Sequence, residues 1–127
     1  MNIISFAWTT PALLAFVKTC TRRDWSDDYA RRFHEGDMEA AYDHSPRVHG
    51  HQVGVIELTI TPYKEWSNLA PSTDWYAEGF EYLTEHGLTL HGLTPLQVWN
   101  DWHDNPRKLW VVRFKIVQIT SLQEKVT

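Results

Sequence analysis

Lys18, Thr21, Arg22 and Arg23 fall within six positions of one another in the stretch FVKTCTRRDW (Phe16 to Trp25), in a chain of formal net charge -4. They set an amine, a hydroxyl and two guanidinium groups side by side. A threonine hydroxyl attacks only after a neighbouring base has taken its proton, and a lysine can be that base only while its amine is neutral. An unperturbed lysine at pH 7 is neutral about one time in 2,500, which withholds about 4.6 kcal/mol. Two influences reduce that cost: like-charge repulsion from Arg22 and Arg23, and desolvation in a cleft lined by aromatic rings. The competing expectation is a solvated cluster in which Arg22 and Arg23 pair with Asp24, Asp27 and Asp28, where exposed ion pairs contribute little. Neighbouring residues of an extended segment point to opposite sides, so Arg22 and Arg23 need not share a task.

A second constellation lies in DHSPRVHGHQ, where His44, His49 and His51 accompany Asp43. Imidazole and carboxylate can bind zinc, but H-x(4)-H-x-H matches no recognised ligand spacing, and loops often carry exposed histidine. No metal site and no cofactor is expected. The single cysteine, Cys20, excludes an internal disulfide and a cysteine-rich zinc site, and a reducing, cytoplasmic setting fits that usage. Overall acidity argues against broad coating of nucleic acid, because non-specific affinity there grows with the number of phosphates neutralised. A local basic site is compatible with it. Of the seven tryptophans, most are expected in the core and the rest as stacking surfaces for planar ligands. Trp8, Trp25 and Trp75 are the candidates for a slot that takes a flat base, with arginine stacking beside it.

Elements must bring these groups together, and 127 residues suffice for one domain with a real core. Hydrophobic content of 43% and charged content of 22% lie in the globular range. The opening MNIISFAWTTPALLAFV lacks a basic flank and is interrupted by Trp8 and Pro11, so it reads as structure, not as a leader. No stretch approaches the ~20 apolar residues of a membrane span. Ile3 to Trp8 reads as a strand. Thr10 then caps a helix that starts at Pro11, runs to about Val17 and buries Leu13, Leu14 and Val17. The cationic cluster begins where that helix ends. Ser26 to His34 reads as a second helix, capped by Ser26 and stopped by Gly36. EGDMEAAYD turns into a strand, and VGVIELTIT (Val53 to Thr61) alternates as a half-buried strand should. PSTDWYAEGFEYLTEHG predicts a helix from Ser72 or Thr73 to Gly87, with Tyr76, Phe80 and Leu83 buried and Glu78 on the opposite face beside Trp75 and Tyr82. TPLQVWNDWHD predicts a further helix, and Leu109 to Ile119 a long closing strand. Strands at start, middle and end with helices between them predict an α+β domain built on a small mixed β-barrel or sheet.

KTCTRR (Lys18 to Arg23), the F-x-x-G-D turn (Phe33 to Asp37), AEGF (Ala77 to Phe80) on a helix and the closing LWVVRFKI together resemble the ASCH family, a branch of the PUA-like fold. The match runs from Ile3 to about Val117. The resemblance implies a single ASCH-like domain over 1–127, a small mixed β-barrel flanked by helices, and a cleft between the K-T-x-T-x-R segment and the helix bearing the glutamate. Members of that family have been linked to RNA binding, to ribonuclease activity and to amide hydrolysis of cytidine acylated on its exocyclic amine. On the hydrolase pattern Lys18 stands as base, Thr21 as nucleophile, Glu78 as acidic partner and Arg23 as an additional cation. The family often carries Gly-Arg just before the lysine, where this chain has Phe16 and Val17.

The partner expected is therefore a nucleoside or single-stranded RNA. Amide hydrolysis leads, and it asks that Glu78 stand nearer the substrate than the amine, or carry the proton for the leaving nitrogen. In an RNA-binding module the arginines would hold phosphate while tryptophans stack bases. In a metal-independent ribonuclease Lys18 and Arg23 would stabilise a pentavalent phosphate while Glu78 or a histidine moves protons.

Overall fold

A computed structural model of the chain describes residues 1–120; residues 121–127, the end of the domain expected over 1–127, lie outside the described residues. The strands are Ile3–Ser5 (β1), Cys20–Arg23 (β2), Met38–Tyr42 (β3), Gln52–Leu58 (β4), Tyr63–Trp66 (β5) and Lys108–Ile119 (β6). The α-helices are Thr10–Leu14 (α1), Asp27–Ala30 (α2), Asp74–Ala77 (α3), Phe80–Glu85 (α4) and Pro95–Asp104 (α5). Rich in β-branched and aromatic residues, β6 is the spine. Its first half pairs antiparallel with β2 on one edge and β5 on the other, and its second half pairs with β4. The path continues through β3 to β1, which lies parallel to β3. The result is a curled six-stranded sheet in order β1-β3-β4-β6-β2, with β5 off this path on β6, and it forms a half-barrel with helices against it. Bulges at Ala41/Tyr42 and Val55/Ile56 supply part of the curl. Gly54 permits the closest backbone approach, since a Cβ there would lie 2.4 Å from the Gln118 carbonyl oxygen.

The two faces of β6 hold different cores. Val112 and Phe114 point into the half-barrel with Phe6, Leu13, Phe33, Ile56 and Leu58. Leu109 faces the helices with Ala12, Phe80, Leu83 and Trp102. Each such side chain contributes about 1.5–3 kcal/mol by leaving water.

Several local expectations are corrected. The strand expected to Trp8 ends at Ser5, and Ala7–Thr9 forms a 3-10 turn. α1 stops at Leu14 because Val17 and Lys18 both turn their N–H groups back to the Ala12 carbonyl; of the three residues expected to bury, only Leu13 does. Thr10 is the first helical residue and does not cap α1; Thr9 precedes it, with its hydroxyl donating to the Phe6 carbonyl and not capping the helix. Ser26 does cap its helix through the Tyr29 N–H, but α2 ends after one turn. The strand expected to Thr61 ends at Leu58, and β5, cut off from it by Pro62, was not expected. The helix expected from Ser72 to Gly87 is two short helices broken at Gly79, whose φ of +88° leaves the helical region. The break turns Tyr76 out to solvent instead of into the core.

Candidate functional site

Lys18 is delivered by the turn after α1 and clamped through its neighbour Thr19. The Thr19 N–H donates to the Ala77 carbonyl, and the Thr19 carbonyl accepts from the Phe114 N–H, so the segment is tied at once to α3 and to β6. Glu78 lies at the break between α3 and α4, held by its N–H to the Asp74 carbonyl. The reversal at Gly79 is what packs the helices there against α1: a Cβ on residue 79 would sit 2.5 Å from Ala12 Cβ and 3.6 Å from Lys18 Cβ. Phe16 itself has φ +62°, the left-handed conformation a glycine takes without strain.

Around Lys18 and Glu78 the structure builds a buried ionic network. Lys18 Nζ donates to the Glu78 backbone carbonyl at 2.7 Å and to Glu78 Oε1 at 3.1 Å. Arg22 donates to Glu78 Oε2 at 2.9 Å, and the Cys20 thiol donates to the same oxygen at 3.6 Å. The other end of the Arg22 guanidinium donates to Asp74 Oδ2, and Arg113 grips the same carboxylate with two bonds of 3.0 and 2.9 Å. Trp102 presents its ring 5.6 Å from the Arg22 guanidinium carbon. Lys18 and Glu78 are only 1% and 2% exposed.

Burial sets the electrostatics. Loss of water holds the Lys18 ammonium below the ordinary lysine range, against the opposing pull of the Glu78 carboxylate; Arg23 adds a small push in the same direction as burial. Arg22 is paired with Glu78 and Asp74, and its pKa is raised although burial opposes this. Burial and the Glu78 charge raise the Cys20 thiol far out of the thiolate range. Asp74 is pushed up by burial but ends below the usual carboxylate range, because the Arg113 and Arg22 hydrogen bonds outweigh it.

A cavity of about 580 Å³ opens on this network. Lys18, Thr21, Arg22, Arg23 and Glu78 border it, with Trp8 among the aromatic walls. Pairing with β6 places Arg22 opposite Val111 on the helix-facing side and Thr21 opposite Val112 on the barrel-facing side. Both reach the cavity because β2 ends the sheet. The remaining wall mixes the apolar Phe80, Leu90, Leu93, Val98 and Trp102 with Gln97 and the Asp101–Arg107 ion pair. Leu90 and Leu93 stand at the ends of a tight two-residue turn, bonded to each other through both backbone groups, with His91 and Gly92 at positive φ.

The residues singled out in sequence thus divide. Trp25 stacks on Phe33 with ring centres 4.4 Å apart and borders a different cavity. Trp75 packs edge-on against Phe80 and Trp99 and donates its indole N–H to Glu81, away from the 580 Å³ cavity. The surface pairing considered for the arginines is absent among the described residues: Asp27 pairs with Lys64 and Asp28 with Arg31. Glu78 stands against the amine, not apart from it. Asp43 accepts the N–H groups of His44 and His51, and among the described residues no three His, Cys, Asp or Glu side chains cluster to hold a metal ion. No helix is long and apolar enough to cross a membrane, among the described residues.

Asp74, Arg113 and Trp102 were not singled out. Asp74 reads as an ordinary first-turn acid, and Arg113 as a polar residue in an apolar strand. The one signal was that arginine, a charge set among Val111, Val112, Phe114 and Ile116.

No protein-family model matches this chain. No curated protein matches it. Its fold is similar to that of the crystal structure of protein EF3133 from Enterococcus faecalis V583, described under family model DUF984, with a TM-score of 0.59 and 11% sequence identity over 94% of this chain and 82% of that chain. At that identity the likeness bears on architecture alone.

Proposed function

We propose that this is an ASCH-like, nucleoside-directed amidohydrolase that removes an acyl group from the exocyclic amine of cytidine. The observation that carries the reading is the buried Lys18 amine, lowered in pKa by desolvation and bordering one cavity with the Thr21 hydroxyl. A neutral Lys18 donates its two N–H groups to the Glu78 carbonyl and Oε1, the two acceptors it has, and keeps its lone pair. That lone pair takes the Thr21 proton as the hydroxyl oxygen bonds to the acyl carbon. The ammonium so formed returns a proton to the exocyclic nitrogen as the carbon–nitrogen bond breaks, which releases cytidine and leaves an acyl ester on Thr21. Water, giving up its proton to Lys18, then adds to the ester carbon, and Lys18 passes that proton to the Thr21 oxygen as the carbon–oxygen bond breaks, which releases the carboxylic acid and restores the hydroxyl and the neutral amine. Glu78 is the positioning residue for the amine: both of its oxygens already accept hydrogen bonds. Trp8, tilted against Phe80 at 5.7 Å, offers a face for the base.

Incubation of the purified protein with N4-acetylcytidine tests this directly. Stoichiometric cytidine and acetate are expected from the wild type, with a loss of at least about 10³-fold in kcat for Thr21→Val. A folded wild type that leaves the substrate intact over hours overturns the reading. Phosphate-gripping RNA binding is the less favoured alternative, because Arg22 is already neutralised by Asp74 and Glu78. Cleavage of RNA without metal, surviving Thr21→Val, would select the ribonuclease instead.

A further inference from the structure

Of the three cations in the cluster, Lys18 and Arg22 have buried carboxylate partners. Arg23 has none among the described residues. Its one polar protein contact there is a 2.9 Å bond from NH1 to the Ser5 backbone carbonyl, and its remaining N–H donors have no acceptor. Burial without a carboxylate in contact lowers its pKa, even with the more distant attraction of Glu78. Arg23 is half-buried and its free donors are not sealed from solvent, so an anion entering from a bordering cavity can complete the guanidinium.

Arg23 and Ser5 border two cavities. One is the 580 Å³ cavity; the other, of about 720 Å³, is also bounded by Arg47, Trp25, Ser26 and Ser45. Arg47 is exposed and has no carboxylate partner among the described residues. The Ser26 and Ser45 hydroxyl oxygens accept from the Tyr29 and Arg47 N–H groups, which leaves each O–H hydrogen free to be donated. Asp24 is the acidic group on this rim. Two guanidiniums and two hydroxyl donors make a recognition set for a phosphate.

We propose that the second cavity is a phosphate site, formed by Arg23 and Arg47 with Ser26 and Ser45, so that the substrate is a nucleotide, with its base in the first cavity and its phosphate in the second. The inference rests on the nucleoside-directed reading for the base and on its own observations for the phosphate. Arg23, shared by both walls, places the two parts of one ligand side by side.

Titration calorimetry at fixed ionic strength with cytidine and with cytidine 5′-monophosphate tests it. The monophosphate is expected to bind at least tenfold more tightly. Arg47→Ala, an exposed substitution that spares the core, should bring the ratio of the two affinities below about threefold. Lys115→Ala removes the same charge from a distant strand and should leave the ratio as it was. Equal affinities in the wild type, or a ratio that survives Arg47→Ala, overturn the phosphate site. If neither nucleoside nor nucleotide binds, the base reading fails by itself, and inorganic pyrophosphate then probes the second cavity alone. Binding abolished by Arg47→Ala supports the site; no binding, or binding indifferent to Arg47, overturns it.

Discussion

Burying an amine beside a carboxylate usually secures its proton, yet at Lys18 desolvation outweighs Glu78, and that order has two measurable consequences. In the amidohydrolase reading, kcat/KM for acetylcytidine should rise with pH along a limb whose midpoint lies below the ordinary lysine value of 10.5. A midpoint at or above that value removes Lys18 as the base. Stability has the same sign: between the lowered folded value and 10.5 the unfolded chain binds more protons at this site, so the Lys18 contribution grows as pH rises through that window. Asp74 has the same sign in an acid window. Its folded pKa lies below 3.8, so its contribution is present above the unfolded value and is lost as pH falls through the folded one. Asp74→Ala takes the carboxylate from the partly exposed Arg113 and one of its partners from Arg22, which keeps Glu78, and should cost about 1.5–3 kcal/mol by urea unfolding. A cost under 1 kcal/mol would mean that water replaces the carboxylate without penalty.

At the scale of elements, the site depends on a helix that does not continue. Residues 74–85 carry helical signals throughout, and only Gly79, at φ +88°, lets the chain reverse so that Glu78 faces β2 while Phe80 enters the helix-side core. Gly79→Ala meets both left-handed strain and a 2.5 Å contact with Ala12 Cβ. The expected destabilisation is about 2–5 kcal/mol, from about 1–2 for the backbone and about 1–3 for overpacking. Thermal unfolding within a degree or two of wild type would show that α1 yields easily. The period-3.6 pattern reveals the helices but not this break, because a glycine inside a helical run is equally compatible with continuation at a small cost. Expecting Tyr76 in the core was the direct consequence.

Across the whole molecule, β1 and β2 are the two ends of the curled sheet, and the Arg23 bond to the Ser5 carbonyl bridges them. Arg23 is therefore a latch on the half-barrel as well as a wall of both cavities. Arg23→Met keeps much of the side chain and removes the bond. Hydrogen exchange at the Phe6 amide, which donates to Tyr42 at the end of β1, should accelerate several-fold while β4 and β6 stay protected. Unchanged exchange at Phe6 would mean that β3 alone holds β1.

Local physics made much of this legible in the residues themselves. Alternation and β-branching mark β4 and β6, Ser26 marks a cap, and the crowded Lys18, Thr21 and Arg23 border one cavity, because each signal is carried by residues near in sequence. The tertiary structure was needed for every choice of partner. Arg22 could have paired with Asp24, Asp27 or Asp28 close by, but it pairs with Asp74 and Glu78, more than fifty positions away. Trp8 could not be told from Trp25 or Trp75 until packing sent each to a different wall. Charge and desolvation act through space, so the sequence shows which groups are at hand, and only the curled sheet and the broken helix decide which of them leave water together.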